Sequence, residues 1–104
     1  MRTPLFLLAL ALSSPAPLAA APHTYVVMID KMKFGPLPSN VRAGDAIVWV
    51  NRDIFRHTAT ARNGSFNVDL APRARARTVI GRPGTIAIFC KYHPGMTATL
   101  RVKP

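Results

Sequence analysis

The sequence has one cysteine, no glutamate and no apolar run long enough to cross a bilayer. A single cysteine cannot form an internal disulfide, so a secreted disulfide scaffold is excluded. Four acidic residues stand against fourteen basic ones, for a formal net charge of +10. That imbalance favours acidic partners or surfaces. Aromatics are only 8% of the chain and are not interleaved with the basic residues. A stacking platform for nucleic acid is therefore missing, and no nucleic-acid partner is expected. Helical periodicity is missing as well: no useful window repeats its apolar residues every three to four positions.

What is present begins with an address. Arg2 leads into PLFLLALAL, and the small, proline-broken stretch SSPAPLAAA follows. A charged start, an apolar core of roughly ten residues and an alanine-rich end make a secretory signal peptide. A membrane span would need about 20 apolar residues, so stable membrane insertion is not expected. Residues 1–20 are read as the signal peptide, cut after Ala19 or Ala20, and residues 21–104 as one domain. The expected location is the periplasm. A domain of about 84 residues is near the lower limit for a self-sufficient core, so a bound metal would help it. In an oxidising compartment a lone thiol is either buried and inert or held by a metal.

From Thr24 onward, short apolar alternations recur between turn signals. Strands are expected at Tyr25–Ile29, Ala46–Val50, His57–Ala61, Phe66–Leu70, Ala74–Ile80, Thr85–Phe89 and Thr97–Val102. Phe34 to Pro38 reads as a bend, and Asn63-Gly64 is a strong turn pair. Strands at roughly ten-residue spacing predict an all-β Greek-key sandwich of about seven to eight strands. Period two would place Arg73, Arg75 and Arg77 together on one strand face, exposed either to solvent or to a partner. Met28 and Met32 read as core filling.

The chemistry lies in CKYHPGM, which spaces Cys90, His93 and Met96 as C-x-x-H-x-x-M. Thiolate, imidazole and thioether suit copper: sulfur favours Cu(I), and a weak axial methionine beside two histidines and a cysteine is the electron-transfer pattern. Zinc would use the cysteine and histidine but not the methionine. A second histidine must come from elsewhere, His23 or His57. His57 is the better candidate, because it opens a strand shortly after Trp49-Val50-Asn51, whereas His23 sits at the new N-terminus. Amino-terminal Cu(II) chelation through His23 is disabled by Pro22, which has no amide proton.

Taken with MKFGP, VRAGDAIVWVNRD and the strand ending Ile88-Phe89-Cys90, this loop resembles the cupredoxins, the type 1 blue copper proteins, and within them the amicyanin type with its short ligand loop. The resemblance runs from about Tyr25 to Val102. It implies one copper per chain held by His57, Cys90, His93 and an axial Met96. It implies Asn51 as a second layer that ties the two ligand-bearing segments together, and a His93 ring edge at the surface as the electron port. Phe55-Arg56 before His57 and Lys91-Tyr92 after Cys90 depart from the family pattern, and their positive charge should favour the reduced metal.

The function these readings favour is a periplasmic single-electron carrier that docks transiently on acidic redox proteins and works as a monomer. No open coordination position with a substrate pocket is evident, so no enzyme is expected. The alternative is a copper-binding or copper-delivery protein without an electron-transfer role. A basic surface binder with an incidental metal is the third reading, and it rests on charge alone.

Overall fold

A computed structural model describes residues 2–5 and 21–104; the remainder of the leader read at 1–20 lies outside the described residues. Nine strands and no helix occur among the described residues. They are β1 (Thr24–Asp30), β2 (Lys33–Phe34), β3 (Val41–Arg42), β4 (Ala46–Asn51), β5 (His57–Ala61), β6 (Asn67–Leu70), β7 (Arg75–Val79), β8 (Gly84–Phe89) and β9 (Thr97–Lys103). Two sheets form, ordered β2-β1-β4-β7 and β3-β9-β8-β5-β6. The all-β sandwich is thus as expected. The two-residue strands β2 and β3 are additions, too short to leave an alternation in sequence.

Period-two patterning explains the layering. In β1, Val27 and Ile29 are buried while Val26 and Met28 face out. In β9, Leu100 and Val102 go inward and Thr99 and Arg101 outward. Because the side-chain period is two, each register is fixed by which face must leave water. Trp49 on β4 sits at the centre, edge-on to Phe34 and tilted against Phe66, both with ring centroids 6.1 Å away. Its indole N–H is buried and meets no acceptor among the described residues. Turns fall where glycine permits them: Gly44 and Gly64 take φ of 97° and 80°.

Two expectations need correction. Arg73 is not on a strand; it precedes β7 with a left-handed φ of 66°, so only Arg75 and Arg77 share the outward face. The proline before it and the turn closed by Ala74 N–H donating to Ala71 O (3.0 Å) delay the strand. Met28 and Met32 are exposed rather than core, since the inward positions of β1 belong to Val27 and Ile29.

The topology gathers one set of chain ends. β4 and β8 finish, and β5 and β9 begin, at the same pole of the sandwich. The segments Arg52–Arg56 and Cys90–Met96 are the loops at that pole.

Candidate metal centre

The loop Cys90–Met96 is built from two tight turns. His93 N–H donates to Cys90 O (3.3 Å), and Met96 N–H donates to His93 O (2.8 Å). Pro94 follows His93 with its φ preset for the second turn. Cys90 N–H donates to Met96 O at 3.1 Å and closes the neck. Backbone bonds therefore hold the three residues spaced by threes in one compact loop.

His57 enters from the other loop. It is fully buried, as is Cys90, while His93 is half-buried. The Nδ1 atoms of His57 and His93 lie 3.8 and 3.6 Å from Cys90 Sγ. Ligand atoms of these three residues all fall within 4.8 Å of one another. Donors so spaced can share one ion at the roughly 2.0–2.3 Å usual for nitrogen and sulfur ligands. The donor set of two imidazoles and one thiolate fits type 1 copper.

Two residues that the sequence reading did not name organise these donors. Asp53 Oδ2 lies 2.7 Å from His57 Nε2. Burial works against the Asp53 charge, but hydrogen bonds from Met32 N–H, the His57 ring and Lys31 N–H outweigh it and hold its carboxyl at about 2. An ionised carboxylate can only accept, so the proton sits on Nε2 and Nδ1 keeps its lone pair toward Cys90. The i, i+4 spacing of Asp53 and His57 was the available signal, but in an irregular loop it carries no fixed geometry.

Thr58 is the second. Its backbone N–H points at Cys90 Sγ (3.3 Å), and its Oγ1 accepts Lys91 N–H (2.9 Å). The β5–β8 ladder pairs only Thr60 with Phe89 and Ala61 with Ile88, so Thr58 replaces a ladder bond by one to the sulfur. An N–H aimed at sulfur suits a thiolate ligand. From Thr58 Oγ1 the chain runs to Thr60 Oγ1 (2.8 Å) and on to Asn67 Oδ1 (2.8 Å). Thr60 spends its only proton on Asn67, so Thr58 must donate to Thr60.

Asn51 is buried, but it braces a different junction. Its Nδ2 donates to Phe55 O (2.8 Å), Leu70 O (3.1 Å) and Ala71 O (3.2 Å), and its Oδ1 accepts Asp53 N–H (2.9 Å). It ties the His57 loop to the β6–β7 turn; the bond across to the Cys90 loop belongs to Thr58. Met96 is buried at the neck of its loop. His23 stays at the surface, remote in the chain, with its N–H on Asp45. Arg56 pairs with Asp69 at 3.0 Å, so its charge is offset rather than free beside His57. Beside His93, Phe55 and Tyr92 are exposed, and the Phe55 ring stands edge-on to His93.

A two-sheet all-β sandwich whose adjoining loops bring His57, Cys90 and His93 together has the cupredoxin fold and a donor set that fits type 1 copper. The chain is similar to amicyanin of Paracoccus versutus, 26% identical over 103 residues that cover 90% of this chain and 78% of the relative. Solved structures agree on the fold. A Cu(I) form of an amicyanin variant superposes with a TM-score of 0.66 at 25% identity, over 80% of this chain and 85% of that one. A reduced Cu(I) amicyanin variant at pH 4 gives 0.65 at 24% identity, over 77% and 82%. No family model matches the sequence.

Proposed function

We propose that the chain is a periplasmic electron carrier that holds one type 1 copper and passes single electrons between redox proteins. The observation that carries this reading is the meeting of two imidazole nitrogens and the lone thiol in a space one ion can fill. His57, Cys90 and His93, with Met96 beside them, would hold the copper, and Asp53, Thr58 and Asn51 hold the loops that carry these residues in place. When bound, copper supplies a one-electron couple between Cu(II) and Cu(I). The residues supply the rest. Asp53 keeps the His57 tautomer, Thr58 keeps the sulfur oriented, and the loop turns set the spacing of Cys90, His93 and Met96, an arrangement that suits transfer with little rearrangement.

His93 is the exit. It is the least buried of the three donors, and Phe55 and Tyr92 surround it with apolar surface that a partner can dry. The excess of basic residues favours acidic partners and salt-sensitive association. The leader at residues 1–20 supports export, and no helix among the described residues is long and apolar enough to cross a membrane. The protein works as a monomer and catalyses no reaction of its own.

Addition of Cu(II) to the purified protein should give intense visible absorption from sulfur-to-copper charge transfer. Cys90→Ser should abolish it, and a serine variant that stays as blue would sink the assignment. Rapid-mixing electron exchange without loss of metal separates a carrier from a protein that hands copper on.

A further inference from the structure

The outer face of the four-stranded sheet presents apolar residues where a solvated sheet would present polar ones. The register sets them in rows: Thr24, Ala46 and Val79; Val26, Val48 and Arg77; Met28, Val50 and Arg75. Val26 and Val79 are 52% and 54% exposed and Met28 37% exposed, with Val48 and Val50 half-buried between them. Arg75 and Arg77 run along the edge strand β7 beside this stripe. Neither has an ion-pair partner among the described residues. On the far side Asp30, whose carboxylate accepts Lys31 N–H, is set opposite Lys33 across β1 and β2, so one acid there faces one base.

Apolar patches with a charged border on a small protein mark interaction sites. Charge decides the occupant. A second copy of this chain would bring more positive charge to the arginines. A membrane-inserting face needs long or aromatic wedges such as Trp, Phe or Leu, and this one carries four short valines and a methionine. Arginine presents a planar fork matched to carboxylates. We propose that this face is a docking surface for a protein whose complementary patch is acidic with an apolar centre, separate from the rim around His93. That the partner is a redox protein rests on the electron-carrier reading; the docking surface itself does not. A partner seated here lies beside the metal pole, because Val50 is followed directly by Asn51, which braces the His57 loop. The Phe55 and Tyr92 rim stays open for a second protein.

The test uses a synthetic peptide of alternating glutamate and leucine, added to the purified isotope-labelled protein at low salt and followed by NMR. Shifts should gather on Val26, Met28, Val48, Val50, Arg75, Arg77 and Val79. Arg75→Glu with Arg77→Glu should weaken binding at least tenfold, while Arg82→Glu with Arg101→Glu, the same charge change elsewhere, should cost no more than threefold. Val26→Ser with Val79→Ser, which leaves charge untouched, should also weaken it several-fold. Shifts spread over every basic residue, or centred on Tyr92 and His93, overturn the proposal. So does equal loss from both charge reversals. Binding to vesicles of anionic phospholipid, with none to the peptide, assigns the face to a membrane instead and overturns it too. Copper loading of the same variants is read separately by absorbance. A protein that fails to turn blue but binds the peptide on this face loses only the carrier reading.

Discussion

At the scale of single residues, the donors are less informative than the groups that aim them. Cys90 and His93 announce themselves by type and spacing, and His57 by its place at the head of a strand. Asp53 and Thr58 do not, since an aspartate and a threonine near a histidine are common in any loop. Only the fold shows that Asp53 meets the far ring nitrogen of His57 and that Thr58 bridges to Lys91. Asn51 illustrates the converse: it is buried, and its amide serves the His57 loop and the β6–β7 turn rather than the Cys90 loop. Thr58→Val keeps shape and backbone and deletes the hydroxyl, leaving Lys91 N–H without its acceptor. A lost partner of this kind costs about 1–3 kcal/mol. The variant should melt lower, exchange its Lys91 amide faster and still turn blue with copper, because the N–H on the sulfur is retained. Unchanged Lys91 exchange would show that the cross-link is idle.

At the scale of elements, the long strands were legible because alternation survives in them. His57–Ala61 has the bounds expected, and the others shift by at most one residue at either end. Pairing was not legible. β1 and β4 run parallel, as do β3 and β9, and nothing local in a strand says which neighbour it will meet. The exposure of Met28 follows from the same gap: TYVVMID is apolar on both faces, so the inward face is decided by partners. Gly35 is one place where an element tolerates a single residue type. Its N–H donates to Met28 O at 2.7 Å, and a Cβ added there would sit 2.9 Å from that same backbone oxygen. A backbone oxygen cannot swing aside as a side-chain tip can. Gly35→Ala should force β2 away from β1, at a cost of roughly 1–3 kcal/mol in urea unfolding. An alanine variant of equal stability would mean that the hairpin already gives.

Asp45 joins elements at the other end of the sheet. Its two oxygens accept N–H groups of His23 (2.9 Å) and Arg42 (2.8 Å), which anchors the start of β1 to the β3–β4 turn. The Arg42 bond first, then that of His23, holds its carboxyl below the ordinary value of 3.8. A depressed folded value stabilises the protein above the unfolded value and is lost as pH falls through the folded one. Asp53 works in the same sense down to about 2. Stability should therefore decline as pH drops below about 4. Asp45→Asn turns an N–H2 toward one of the two donors, so it should be less stable than the parent at pH 7, with the gap closing toward pH 3. A gap that stays constant across that range would rule out the charged carboxylate as its origin.

At the scale of the whole molecule, the two sheets leave one pole held by loops, and the candidate donors are shared between those loops. His57 belongs to β5, whereas Cys90 and His93 belong to the connection between β8 and β9. In a domain this small the core supplies little surplus stability, so an ion that binds only the folded chain raises stability in proportion to the logarithm of its concentration over its dissociation constant. At a hundredfold excess over that constant the gain is about 2.7 kcal/mol, a shift of several degrees for a domain of this length. The copper-loaded protein should melt above the metal-free one, and Cys90→Ser should lose most of the difference. Calorimetry of the four samples makes the comparison. Because Cys90 is wholly buried among core side chains, the serine variant also melts lower without metal; what counts is the loaded-minus-free increment. If that increment were the same with serine at position 90, the ion would be bound somewhere other than between the two loops.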